Sequence, residues 1–272
     1  MAEYTKAVVT FIDILGFKEL VRTRTCDDIK RILGFFSQVS HEAKLDAGIP
    51  GMWESTFVYF SDSIVRTVRN IDDRSKHSLT EDFYFELHAL KHIQCNLLLE
   101  GLVIRGAITV GDIFAEGKIV FGPALIRACK LESEVAEYPR VIIDQGAFDE
   151  LDRSEWFHGA IENYARMWDD GVLFVDYLRG HLNETAQSGP SLGIPFRAGI
   201  EPIVRHRKLV ESNLRKFAQN PAILEKYRWL ADYHNSLVTM ISESGESFFE
   251  ICETSQDELL VQDEDIVKLH EP

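Results

Sequence analysis

The sequence predicts an α+β domain, a mixed sheet with helices packed on it, continued by a mainly helical C-terminal extension. Three observations predict it. Ala7–Ile12 is an unbroken run of apolar and β-branched residues without polar alternation, the pattern of a central strand buried on both faces. Thr56–Val65 carries two short apolar arms around Ser61-Asp62-Ser63, the pattern of an antiparallel hairpin. Strand and helix patterns then follow in the order β-α-α-β-β-α-β-β-α-β as far as Asp144, and a hairpin inside that series excludes a doubly wound parallel sheet.

The elements justify themselves in order. After the first strand, Gly16-Phe17 leads into a short helical stretch. A second helix starts near Cys26-Asp27-Asp28, with acids at its N-terminus and Ile29, Ile32, Leu33, Phe36 and Val39 as its apolar stripe. It ends near Ala47-Gly48, with Pro50 as a stop. The hairpin arms are Phe57–Phe60 and Ile64–Val68, and a polar loop from Asn70 to Ser78 follows. Leu79-Thr80-Glu81-Asp82 opens a long helix that Glu100-Gly101 closes. Leu102–Val110 is a strand that Gly111-Asp112 is expected to turn, and Lys118–Phe121 is a short one. Pro123 at a first helical position favours a helix over Ala124–Val135. Tyr138–Asp144 is a further strand and Phe174–Tyr177 an added one. His181–Pro195 has loop composition. Glu201–Ala218 and Pro221–Ser242 are helical, and Leu259-Leu260-Val261 is apolar enough to dock. The expected organisation is a domain over 1–145, an extension packing on it over 146–252 and an acidic tail over 253–272.

Composition narrows the function classes. The net charge is −15 and the last thirty residues set ten acids against Lys268 alone among Lys and Arg, so binding to nucleic acid through phosphate neutralisation is not expected. A phosphorylated substrate would need recruited cations, for which metal ions are the natural means. The sequence has no apolar run long enough for a membrane helix and no secretory leader pattern, and Cys26, Cys95, Cys129 and Cys252 form no CxxC. A reduced, cytoplasmic protein is expected, without membrane association.

The chemistry centres on two aspartates. Asp13 ends the first strand and Asp62 sits at the hairpin turn, which places two carboxylates at adjacent strand tips. Hard divalent ions such as Mn²⁺ or Mg²⁺ take one or two protein carboxylates plus substrate phosphate. Backbone N–H groups of Leu15, Gly16 and Phe17 at a helix start would cradle phosphates. Taken singly, Asp13 reads equally as a helix cap and Asp62 as a turn former. Arg105, in mid-strand, needs a partner, either a substrate oxygen or a neighbouring acid. Tyr59, just before the turn, is a base-stacking or core aromatic. His88 and His92 have i, i+4 ligand spacing, but with no third His or Cys in pattern zinc is not expected. Arg205-His206-Arg207-Lys208 reads as a solvated helix face.

Four stretches in register resemble one family. Phe11-Ile12-Asp13-Ile14-Leu15-Gly16-Phe17 is similar to the opening motif of class III nucleotide cyclases, and Ser61-Asp62-Ser63 to their second metal-aspartate turn. Arg105–Gly111 resembles their RxGIHTG strand, and Val120–Ala124 with Leu131-Glu132-Ser133 their VWGxxVNxAxRLES segment. The resemblance covers Tyr4–Asp144. It implies a ferredoxin-like, palm-type sheet, a homodimer with shared active sites, two Mn²⁺ or Mg²⁺ ions at Asp13, Ile14 and Asp62, and attack of a ribose 3′-hydroxyl on the α-phosphate with loss of pyrophosphate.

The departures are specific. Ile126 stands where the family has its transition-state Asn, and Lys130 where it has Arg. The purine-reading Lys falls near Val58 and Tyr59, and the base-reading Asp at Ile119. In these departures the chain looks most like the bacterial Pycsar pyrimidine cyclases. That likeness implies UTP or CTP as substrate, a role in antiphage defence, Tyr59 and Arg105 as base contacts, Lys130 or Arg127 as the transition-state cation, Lys130 being preferred, and a downstream effector that senses the cyclic nucleotide. A purine cyclase of the same fold and a nucleotide-binding module without turnover remain the alternatives.

Overall fold

The computed structural model describes residues 2–46, 53–70, 79–151, 161, 163–182, 200–243 and 255–262. The stop at Pro50, the loop over 71–78, the loop over 183–195, the tail beyond 262 and Cys252 lie outside them. Two compact units result, Met1–Tyr177 and Leu178–Pro272. The boundary expected at 145 therefore falls inside the first unit.

The first unit is α+β. Its elements are β1 (Thr5–Ile14), α1 (Phe17–Thr23), α2 (Cys26–Asp46), β2 (Trp53–Phe60), β3 (Ser63–Asn70), α3 (Leu79–Leu99), β4 (Ile104–Glu116), β5 (Ile119–Phe121), α4 (Pro123–Glu134), β6 (Val141–Ile143), α5 (Gln145–Asp149), β7 (Ala165–Met167) and β8 (Leu173–Val175). The strands form one mixed sheet in the order β2-β3-β1-β4-β6-β8-β7, with β5 folded back on β4. Among the described residues, the β4–β6 pairing is parallel and the other pairings are antiparallel.

Register divides the sheet into two faces, because residues directly opposite one another across a ladder share a face. Val8, Ile12, Ile14, Ile64, Val68, Ile104 and Ile108 point to one side and form the main core with Ile32 and Phe36 of α2 and the apolar stripe of α3. That core also holds a bidentate ion pair. Arg66 donates to Glu86 at 2.6 and 2.9 Å and to the Phe36 carbonyl at 2.9 Å, while the Thr10 hydroxyl donates to Glu86 at 2.7 Å. On the other side, Ala7, Val9, Ala107, Ile113 and Ile142 are covered by Ala124, Ala128 and Leu131 of α4. The central strand β1 is thus buried on both faces, as its sequence predicts.

Two glycines hold this packing together. A Cβ on Gly106 would lie 2.5 Å from the Phe11 carbonyl, so β4 approaches β1 only because that position has no side chain. Gly122 has φ +153° and a Cβ there would meet the Asp112 carbonyl at 2.7 Å, which fixes where α4 can begin.

Three expectations are corrected. Gly111-Asp112 does not turn the chain; β4 runs on to Glu116 and the turn falls at Gly117, φ +60°. The glycine at 111 serves packing instead, since a Cβ there would stand 3.2 Å from that of Ala124. The strand expected over Tyr138–Asp144 shrinks to Val141–Ile143, because Tyr138–Arg140 turn tightly, with the Arg140 N–H bonded to the Tyr138 carbonyl. The added strand is Leu173–Val175, paired with a β7 that the sequence reading did not include.

The second unit pairs α6 (Glu201–Lys216) with α7 (Pro221–Glu243), and α8 (Gln256–Leu259) docks on both. Ser255 and Glu258 form a capping box that starts α8. The predicted docking of Leu259-Leu260-Val261 is observed, with Leu259 and Val261 buried.

Candidate active site

Asp13 and Asp62 are brought together by backbone. Asp13 pairs with Ser63 at the last rung of the β1–β3 ladder, so the β2–β3 turn closes beside it. The Ile14 N–H donates to the Asp62 carbonyl at 3.0 Å, which latches the turn to the end of β1. The turn is a two-residue connection between Phe60 and Ser63, with Ser61 at φ 58°. A positive φ at the first turn position is what the primed hairpin turns demand. Asp13 and Asp62 are half-buried, and the Asp13 carboxylate also meets Arg105 of the adjacent strand at 3.6 Å.

The chain leaves β1 through Leu15 and Gly16, and Gly16 takes a left-handed conformation, φ 77°. Its carbonyl accepts from the Glu19 and Leu20 N–H groups, which starts α1. Of the three N–H groups expected to face phosphate, Leu15 is removed, because it donates to the Val103 carbonyl at 3.1 Å. Gly16 and Phe17 remain, at and just after the helix cap, where N–H groups have no intrahelical acceptor.

Arg105 is directly opposite Asp13 in the β1–β4 ladder. It reaches a second acid, Glu132 of α4, at 2.5 Å. The Glu132 carboxylate is 8% exposed. Of the two partners that the sequence left open for Arg105, neighbouring acids are the ones found in the chain itself.

Tyr59 does not join this group. It pairs with Ile64, which pairs with Ile12, so all three point to the α2–α3 side, whereas Asp13, Ser63, Phe60 and Arg105 point to the other. The Tyr59 hydroxyl donates to the Leu33 carbonyl at 3.2 Å. Burial pushes its pKa up against the opposing pull of a Ser37 hydrogen bond. On the aspartate face, the β2 residues nearest the turn are Val58, opposite Val65, and Phe60, which is 80% exposed; Thr56 and Glu54 follow on the same face toward the far end of the strand.

The α4 cations separate as well. Arg127 is taken by Asp144 at 2.8 and 3.0 Å, and the Thr109 hydroxyl donates to the same carboxylate at 2.7 Å. Burial raises the Asp144 pKa, but hydrogen bonds from Arg127 and Thr109 outweigh it and hold the carboxyl below its ordinary value. Thr109 lies four residues along β4 from Arg105, roughly 13 Å at the rise of a strand. Arg127 therefore stands away from the aspartates. Lys130 lies on the outward side of α4, 60% exposed and 3.8 Å from Glu134, with the 71% exposed Ile126 one turn before it. His88 Nε2 and His92 Nε2 approach to 3.4 Å, in the main core's helix α3 and apart from the aspartate face.

Among the described residues, no three His, Cys, Asp or Glu side chains converge on a metal-sized site. Two carboxylates at strand tips are nonetheless the donor set that suits a hard ion completed by water and phosphate oxygen. Among the same residues, no helix is long and apolar enough to cross a membrane.

No family model and no curated protein matches the chain. Solved structures that resemble it include the adenylyl cyclase CyaB from P. aeruginosa, at TM-score 0.39 and 18% identity over 64% of this chain and 94% of that one. The guanylate cyclase domain of RhGC from Catenaria anguillulae, solved with GTP, superposes with TM-score 0.39 at 15% identity, over 64% of this chain and 96% of that one. An adenylate/guanylate cyclase/hydrolase from Silicibacter pomeroyi gives 0.36 and 15% over the same shares.

Proposed function

We propose that the chain is a metal-dependent nucleotidyl cyclase that converts UTP or CTP to the 3′,5′-cyclic monophosphate and pyrophosphate. One observation carries the reading: the Ile14–Asp62 backbone bond latches two aspartate-bearing strand tips together, directly before the Gly16-Phe17 turn. Asp13 and Asp62, with backbone at Ile14, would hold Mn²⁺ or Mg²⁺. When bound, such ions neutralise the triphosphate and lower the pKa of the attacking hydroxyl. Gly16 and Phe17 N–H groups bind phosphate oxygen, and the half-buried setting of the carboxylates limits competing water.

The pyrimidine assignment rests on what lines the aspartate face of β2. Next to the turn, Val58 and Phe60 offer no amine or carboxylate to a purine edge, and Ile119 of β5, at the far end of β4 from Asp13, offers none to a site shared with a second copy. Tyr59 has no part in the reading, because it lies on the sheet face opposite the aspartates. Lys130 supplies cation to the transition state from the outward side of α4, where it reaches an aspartate pair only in a second copy of the chain. This makes the protein a homodimer with shared sites; the resemblance of its departures to those of the pyrimidine cyclases of antiphage defence supports a product that signals to a separate effector there.

The test is direct. The protein is incubated with Mn²⁺ and each of the four nucleoside triphosphates, and products are separated by chromatography. Cyclic UMP or cyclic CMP is expected, and it is lost in Asp13→Asn and Asp62→Asn. Cyclic AMP or GMP instead would overturn the pyrimidine assignment. Nucleotide binding without turnover would establish the module reading, which the loss of the family's Asn at the exposed Ile126 favours.

A further inference from the structure

Arg105 stands between two carboxylates, close against Glu132 and farther from Asp13. One nitrogen, Nη2, lies 2.5 Å from Glu132 and 3.6 Å from Asp13. Arg105 Nε and Glu132 Oε1 are buried and make no aligned hydrogen bond. The contrast with Arg66 is instructive. That guanidinium is forked onto Glu86 and tied to a backbone carbonyl, so it has one position. Arg105 has two places to go, and both are acids.

The same geometry sets a conflict. An ion held by Asp13 sits beside a guanidinium, and like charges in a half-buried setting repel strongly. The guanidinium at 3.6 Å meanwhile supplies counter-charge to Asp13. Glu132 is costly where it is, a carboxylate set on the inner side of α4 beside Ala128 and Leu131, unless a cation meets it.

We propose that Glu132 is a positioning residue that draws Arg105 off Asp13, so that the Arg105–Glu132 pair sets the affinity of the aspartate site for its divalent ion. This rests on Asp13 and Asp62 being the ion's ligands. In the ion-free site the guanidinium is shared; on ion binding it passes to Glu132, and Asp13 is released to coordinate.

The prediction is a reversal of sign. Glu132→Gln leaves Arg105 with Asp13 alone and weakens Mn²⁺ binding by about tenfold, the effect of one charge at this separation. Arg105→Gln removes the guanidinium from beside Asp13 and tightens binding. The double variant returns toward wild type, and Glu132→Asp, which keeps the charge, stays near it. Mn²⁺ binding is measured by electron paramagnetic resonance without nucleotide, on the full chain, with folding checked by circular dichroism. Asp13→Asn is run beside them. If it leaves Mn²⁺ binding unchanged, the metal reading itself fails. If it abolishes binding while Arg105→Gln weakens binding or leaves it unchanged, the metal reading stands and the role of the pair is overturned. Should Glu132→Gln not fold, Arg105→Gln and the double variant carry the same test.

Discussion

At the scale of single residues, the site depends on positions that tolerate little. Ser61 carries a positive φ at the hairpin turn, a conformation that costs a residue with a Cβ about 1–2 kcal/mol. Ser61→Gly is expected to raise thermal stability modestly, the relief being partly offset by the entropy of glycine in the unfolded chain, and to leave metal binding intact. A fall in melting temperature would contradict that account. Gly106→Ala is expected to do the opposite, because its new Cβ meets backbone at 2.5 Å. A loss of about 3 kcal/mol, typical of severe overpacking, should appear in denaturant unfolding. Asp144 gives a pH signature. Its folded pKa is depressed, so its contribution is present above the unfolded value of about 3.9 and is lost as pH falls through the folded value. In Asp144→Asn that acid-limb loss should shrink, visible as a flatter dependence of stability on pH below 4.

At the scale of elements, α6, α7 and α8 form an acid-sensitive assembly. His234 Nε2–H donates to the Leu259 carbonyl at 2.7 Å, which leaves His234 Nδ1 to accept from His206 Nδ1 at 3.2 Å. Both rings are buried and stacked. Burial first, and the Arg207 charge after it, bring His234 down to about 4 despite the opposing Leu259 bond, and burial with its His234 neighbour holds His206 well below its ordinary value. Both stay neutral when folded while the unfolded chain protonates near 6.5. Stability is therefore complete above about pH 6.5 and falls as pH drops toward 4, by on the order of 3 kcal/mol for His234. Circular dichroism melts of wild type and His234→Gln across that window should converge at low pH; parallel curves would show that the pair is not responsible.

The elements also show how much was legible beforehand. β1, the hairpin, α3 and α4 follow from apolar runs, caps and a proline, all local signals, and so does the placing of Asp13 and Asp62 at strand tips. What failed needed pairing. Gly111-Asp112 has turn composition, yet its glycine exists to let Ala124 approach, a contact thirteen residues away in sequence. Tyr59 and Val58 are indistinguishable until the register assigns each a face. Glu132 was visible as part of a motif, but only the closing of α4 over β4 gives it Arg105 as a partner. β7 has three residues and its partner supplies the reason for its existence, so no local pattern announces it.

At the scale of the whole molecule, the proposed shared site makes activity a property of pairs. Ile126, Phe60 and Ile119 are large apolar residues left exposed. Ile126→Asp is expected to lower the dimer fraction in analytical ultracentrifugation and to abolish turnover while the melting temperature stays within a few degrees. Cyclase activity per mole should also rise with protein concentration in wild type. The net charge of −15 works against self-association, so raised salt should strengthen the pair.

The latch between Ile14 and Asp62 has a consequence for how such a protein changes over generations. What spaces the two carboxylates is main chain, a hydrogen bond that any side chain at either position preserves. In the proposed site, the residues assigned to the base, Val58, Phe60 and Ile119, are side chains that can be exchanged one at a time. Chemistry and selectivity are thus carried by separable parts. A lineage can trade one nucleotide for another without ever passing through a sequence that has lost its catalytic spacing.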